Sequence, residues 1–314
     1  MIAPWKLAIA YSLDLLLGDP EWFPHPVRLM GAVIHAGSRN LTTSKAGPAR
    51  QMARGTALSI GVITASAICA RKAIQLGLPF EILLASSALA TRSLLDEANA
   101  VLKALDAGNL AVARSRLARI VGRDTDSLDE AEIARAVIET AAESTCDGIV
   151  APLMYLAGGG VPAALAYKAV NTLDSMIGHK EPPFTYFGRC AARFDDVCNF
   201  LPARVAALAI VLASGFAGGS PGSALHVWWR DRNKHASPNA GQVEAAMAGA
   251  LGVRLGGLNT YDGNEVQAPI LNPAGRTPNL DRAHAALRIV TAASALVFGT
   301  LLTFRLWKDR HRNV

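Results

Sequence analysis

The sequence predicts a mostly α-helical, multi-pass integral membrane protein, with long polar helix and loop blocks gathered on the cytoplasmic side. Three observations predict it. Of 314 residues, 51% are hydrophobic and 18% charged, against about 25% charged in soluble domains. Mean hydropathy is +0.25. Apolar runs close to the ~20 residues needed to cross a bilayer recur along the chain. The same composition excludes disorder, because there is ample apolar surface to bury. Four cysteines in 314 residues exclude a disulfide scaffold. Cys69, Cys146, Cys190 and Cys198 show no CxxC spacing and read as small buried hydrophobes.

The elements follow in order within one membrane-embedded domain, 1–314. Residues 1–17 form a first span; with Asp14 inside it and no small-residue cleavage site, it is not a removable signal peptide. Residues 55–70 are uncharged, then meet Arg71 and Lys72, so the span extends to about 75. Residues 76–95, with Pro79 and Glu81, return as the second arm of a hairpin. Residues 149–167 are apolar but broken by Gly158, Gly159, Gly160 and Pro162, which suits a re-entrant segment as well as a crossing. Residues 205–219 and 286–304 are the last two spans. The basic residues after 304, and those in the loop 18–54, favour the cytoplasmic side for both. The chemistry falls to the polar blocks 18–54, 96–148, 168–204 and 220–285.

Four constellations stand out there. In the first, Asp19, His25 and Arg28 sit among Pro20, Pro24 and Pro26, whose rings stiffen the chain; this is either a proline-rich turn or a pre-organised anion or metal site. In the second, Glu139, Glu143 and Asp147 recur every four residues, which puts three like charges on one helical stripe that runs into an apolar stretch. Such carboxylates need a cation, unless the stripe is simply solvated. In the third, Lys168, Asn171, Asp174, Lys180, Arg189, Arg193, Asp195, Asp196 and Asn199 crowd between apolar spans. Basic side chains clamp phosphates and adjacent carboxylates ligate Mg²⁺; an internal salt-bridge network is the plain alternative. In the fourth, Ser237 before Pro238 reads as the N-cap of a helix that ends at Gly252, with Asn239 in its first turn and free amides suited to an anion. Ala245 with Gly249, and Ala246 with Ala250, give that helix a face for close packing. A glycine-rich loop follows, through Gly257 and on to Tyr261, Asp262 and Gly263.

The net charge of +6 favours an anionic substrate or lipid surface. Nucleic acid is disfavoured, since aromatics are only 6% and no nucleic-acid motif occurs. No GxxxxGK[ST] loop, HExxH, GxSxG or kinase signature is present, so nucleotide binding is not of the P-loop kind.

The segments LGDPEWFPHPVRLMG (17–31), VGRDT (121–125), ETAAESTCDGIVAPLMY (139–155), YKAVNTLDSMIGHK (167–180), FGRCAARFDDVCNFLPAR (187–204) and SPNAGQVEAAMAGALGVRLGG (237–257) together resemble the adenosylcobinamide-phosphate synthase family of cobalamin biosynthesis. One block departs from that family's Glu-Asn-Thr-Ser-Asp-Gly, reading Glu143-Ser144-Thr145-Cys146-Asp147-Gly148. The resemblance implies a multi-pass enzyme of the inner membrane whose site faces the cytoplasm. It implies an amide bond between aminopropanol, free or as its O-phosphate, and the propionate f side chain of adenosylcobyric acid, made with ATP and Mg²⁺. The corrinoid is then substrate, not cofactor, and the partners are membrane lipid and other late enzymes of that pathway. On the same expectation Asp174, Asp195 and Asp196 hold Mg²⁺. Lys168, Lys180, Arg189 and Arg193 clamp phosphates, and Glu143 or Asp147 takes the amine proton. Asp19, His25, Arg28, Asn171, Asn199, Ser237 and Asn239 line the site. A small-molecule transporter and a non-catalytic scaffold for corrinoid enzymes are the other readings; against the first, the polar blocks outweigh the spans and no inverted repeat appears.

Overall fold

A computed structural model describes residues 1–19, 25–42, 46–179 and 181–311. Lys180, expected among the phosphate ligands, lies outside them, as do the prolines at 20 and 24. The protein is mostly α. Its helices are α1 (Pro4–Leu17), α2 (Pro26–Leu41), α3 (Pro48–Ala73), α4 (Leu78–Ser86), α5 (Thr91–Asp106), α6 (Leu110–Leu117), α7 (Glu130–Ser144), α8 (Ala151–Ile177), α9 (Arg189–Cys198), α10 (Phe200–Ser214), α11 (Pro221–Asp231), α12 (Ala240–Leu251) and α13 (Leu280–Arg310). Among the described residues four helical stretches are long and apolar enough to span a membrane: Pro48–Leu76, Leu78–Asp106, Glu130–Ile177 and Leu280–Arg310. A fifth arises if α9 and α10 count as one broken span. The helix at residues 1–17 has 14 residues, about 21 Å at 1.5 Å per residue.

The chain divides into two compact units, each assembled from separated stretches: residues 1–90, 151–199 and 300–314 in the first, 91–150 and 200–299 in the second. In the first unit α8 is the central helix, packed by α2, α3, α4 and α9. Its inward face carries Leu153, Leu156, Ala164, Leu165 and Leu173, all at most 3% exposed. The glycine run at 158–160 breaks it: Gly160 has φ +73°, a left-handed conformation that interrupts the helix two residues before Pro162. α1 buries Leu7, Ala10, Tyr11 and Asp14, a stripe of helical period. Lys6 donates to Glu81 of α4 at 2.5 Å. Arg305, 3% exposed, donates to the Ile2 carbonyl at 2.7 Å.

In the second unit every residue of α12 is buried. This follows from its composition of Ala and Gly, which lets α10 and α11 approach closely. A Cβ on Gly249 would meet the Ser223 carbonyl at 2.6 Å and Ala224 Cα at 2.8 Å. The helix ends where the sequence predicts, with Gly252 left-handed at φ +65°. Its start differs. Asn239 is the N-cap and Pro238 lies in the preceding turn, although Ser237 Oγ still accepts from the backbone of Asn239 and Ala240. The stretch read as a glycine-rich loop is a β-hairpin, β1 (Leu255–Tyr261) antiparallel to β2 (Asn264–Leu271). Its two turn residues, Asp262 and Gly263, both have positive φ (+50° and +77°), as a type I′ turn requires. Asp124 holds the turn by accepting from both amides, at 3.2 and 2.9 Å. The register slips between Leu255 and Gly257, leaving a bulge at Gly256 with φ +80°.

Candidate functional site

Two polar networks are built into the structure, one in each unit. In the second unit the hub is Glu139, 6% exposed on α7. Its Oε2 accepts from Arg123 at 2.6 Å; its Oε1 accepts from the Gly256 amide at 2.8 Å and from Arg135 at 3.4 Å. Arg123 also donates to Asn259 at 2.8 Å, and Arg135 to the carbonyls of Gly256 and Leu258 at 3.0 and 2.9 Å. The bulge therefore matters: it turns both the N–H and the C=O of Gly256 toward this ion cluster, and a side chain there would run into the Pro269 carbonyl. Two buried guanidiniums and one carboxylate leave a positive excess, and the carboxyl of Glu244 on α12 lies within the field of these charges. Burial pushes the Glu244 carboxyl well above the usual range, and the Glu139 and Glu143 carboxylates push it further. His235 Nε2 lies 3.8 Å from Glu244. Its Nδ1 accepts from the Ser237 amide at 3.0 Å, and burial lowers its pKa, so the ring is neutral at pH 7.

The acidic stripe changes character at its lower end. Glu139 and Glu143 share a face of α7, but residues Thr145–Val150 form a π-turn. Asp147 therefore sits on a wider turn than the one that carries Glu139 and Glu143. Such turns recur at functional sites because they re-aim side chains without ending the helix.

In the first unit the network runs through α8 and α9. Tyr167 donates to Asn199 Oδ1 at 2.9 Å, and Asn199 Nδ2 reaches both oxygens of Asp195 at 3.0 Å. Asn171 approaches the same carboxylate at 3.5 Å, and the Lys168 and Asp196 charges act on it. Asn199 is 1% exposed, so the Asp195 carboxylate is aimed by a buried amide. Tyr155 stacks on Tyr167 at 4.8 Å and donates to the Cys198 carbonyl. Asp196 meets Arg193 at 3.8 Å on the surface side of α9. The start of α9 is pinned by Gly188, where a Cβ would strike the Ile177 carbonyl. At the start of α2, His25 is the N-cap: Nδ1 accepts from the Val27 amide at 3.3 Å, and Nε2 lies 3.0 Å from Asp19.

The residues expected to act thus divide. Asp19, His25, Arg28, Lys168, Asn171, Asp174, Arg189, Arg193, Asp195, Asp196 and Asn199 belong to the first unit; Glu143, Asp147, Ser237 and Asn239 belong to the second. The structure joins Asn171, Asp195 and Asn199 directly and pairs Asp19 with His25. Among the described residues no three His, Cys, Asp or Glu side chains are grouped as a ready-made metal cage. The hub residues Arg123, Arg135, Glu139 and Glu244 are absent from the expected set. Arg123 lies in the VGRDT segment and Glu139 in the acidic stripe, so both were visible; what joins them is the hairpin.

A family model described as CobD/Cbib protein matches residues 7–290, which takes in both networks. The chain belongs to the CobD/CbiB family. It is 41% identical to the cobalamin biosynthesis protein CobD of Klebsiella pneumoniae, over 95% of this chain and 96% of that one. It is also 41% identical to the cobalamin biosynthesis protein CbiB of Salmonella typhimurium, with the same coverage. A CobD of Pelobacter propionicus is 46% identical over 83% of this chain and 82% of its own. No solved structure matches. Family membership accounts for the apolar helices and for a role in cobalamin biosynthesis.

Proposed function

We propose that this CobD/CbiB-family chain is a ligase of the inner membrane. It forms the amide bond between aminopropanol, or its O-phosphate, and the propionate f side chain of adenosylcobyric acid, on the cytoplasmic face and at the expense of ATP. The observation that carries the reading is the family match across residues 7–290.

A carboxylate and an ammonium do not condense in neutral water, so both must be changed. ATP supplies the first change by converting the corrinoid carboxylate to an acyl phosphate, with phosphate as leaving group. Lys168, Arg189 and Arg193 are the basic groups that hold the transferred phosphoryl in place. Mg²⁺ is commonly bound by one or two carboxylates with phosphate oxygens completing its shell. Asp195, held by Asn199, with Asp196 and Asp174 as the further carboxylates, would hold Mg²⁺, and the ion would neutralise phosphate charge there. The second change is loss of a proton from the amine. Glu143, beside the Glu139 hub, or Asp147 on the π-turn, receives it. Tyr167 and Asn171 position Asp195, and Asp19, His25 and Arg28 line the site.

The test is one assay of the detergent-purified chain with the corrinoid acid, ATP, Mg²⁺ and either amine, read by product mass and by release of ADP or AMP. Amide product is expected only with ATP present. Asp196→Asn and Lys168→Met are each expected to lower turnover at least a hundredfold. Full activity in either variant removes that residue from the scheme, and no product with any amine overturns the reading.

A further inference from the structure

An open cleft of about 380 Å³ on the surface of the second unit shares no residue with either network. It is lined by Gly218, Gly219, Ser220 and Ser223 on one wall, the α12 end from Gly249 to Gly252 on another, and Arg276 and Arg282. No acidic side chain lines it. Both arginines are fixed at the backbone. Arg276 donates to the Gly252 carbonyl at 3.0 Å and accepts from Arg254 at 2.9 Å; the Arg282 amide donates to Asn279 Oδ1 at 3.0 Å in the first turn of α13. Among the described residues neither guanidinium has a hydrogen-bond or ion-pair partner, in contrast to Arg123 and Arg135.

The walls pack closely against each other. Ser220 donates to the Ala250 carbonyl at 3.0 Å, and a Cβ on Gly219 would meet that same oxygen at 2.8 Å. Gly249 is held equally tightly against Ser223. Two guanidiniums without a protein partner, two serines and no carboxylate suit an oxyanion, and a phosphate ester offers the most acceptor oxygens to planar guanidinium forks. The cavity lies where α10 ends and α13 begins, and α13 is one of the spanning stretches. A phospholipid headgroup and a soluble phosphate ester therefore present the same chemistry to it.

We propose that Arg276 and Arg282 form a phosphate-binding site between the 218–223 loop and the end of α12. Inorganic phosphate is titrated calorimetrically into the full chain in neutral detergent, and retained phosphatidylglycerol is counted by native mass spectrometry. Arg276→Gln and Arg282→Gln are each expected to weaken binding about tenfold, the effect of losing one charged hydrogen bond. Arg276→Lys and Arg282→Lys are expected to retain part of it. Weaker phosphate binding with lipid retention unchanged assigns the site to a soluble ester. Loss of phosphatidylglycerol, with phosphate competing for its place, assigns it to a headgroup. Wild-type behaviour of both glutamine variants toward both probes overturns the proposal, as does an equal loss in Arg310→Gln, which lies outside the cavity. Thermal unfolding of each variant identifies any loss that is only misfolding, and the lysine variants then decide.

Discussion

Glu139 accepts from two guanidiniums and one amide while almost wholly removed from water, so its loss leaves two buried cations without the carboxylate that balances them. Breaking a buried pair this way costs about 3–5 kcal/mol. Glu139→Gln, which keeps the shape and removes the charge, is expected to lower the thermal midpoint by several degrees, and an unchanged midpoint would show the cluster to be energetically idle. Two further carboxyls set the pH response with opposite signs. Asp231, fully buried, is held well below its ordinary 3.8 first by Arg230, then by Lys234 and the Asn272 amide. The unfolded chain takes up that proton first, so the stability Asp231 contributes is present above about pH 4 and drains away as the pH falls. Glu244 behaves the other way. Its folded pKa lies above 4.5, so its contribution is complete in acid and is lost as the pH rises toward the folded value. Unfolding midpoints measured from pH 3 to 9 are expected to fall less steeply in acid for Asp231→Asn and, as the pH rises above about 4.5, less steeply for Glu244→Gln. Parallel curves for wild type and both variants would contradict the assignment. At this scale the sequence was half legible. Regular spacing exposed Glu139 and Glu143, but Arg123 and the Gly256 amide reach the hub only through tertiary packing.

The elements were legible where their signals are local and illegible where a partner decides. Gly252 stops α12 because only a left-handed residue closes that end, and the sequence says so. The hairpin was hidden, because Gly256, Gly257 and Gly263 read as loop until strand pairing and the Asp124 clasp give them work. The π-turn was hidden for a similar reason: a single inserted residue leaves no mark in hydrophobic period, yet it widens the turn that carries Asp147. α12 supplies the prediction here. Gly249→Val forces a branched side chain into contacts already closer than a Cβ tolerates, so a loss of about 3 kcal/mol is expected. Gly252→Ala, which meets no atom within 4 Å but keeps the strained φ, is expected to lose about 1 kcal/mol. Denaturant unfolding of both separates crowding from backbone strain, and equal losses would refute the packing account.

For the molecule as a whole, the apolar fraction and the long uncharged run carried the fold class, and ordered motifs carried the family. The division of site residues between two units was not visible, because nothing in local sequence records which distant helix a helix packs on. Four spanning stretches predict that the chain pellets with membranes after an alkaline carbonate wash and enters solution only with detergent; release by carbonate alone would contradict them. The interleaving of the units has a further reach. The first begins with residue 1 but ends with residues 300–314, and the second is opened and resumed in between. A growing polypeptide cannot close the first until residues 300–314 have left the ribosome, so its earlier helices wait for a partner made much later. No single cut of the gene yields either half intact, and a stop before residue 300 spoils the unit that includes residues 1–90.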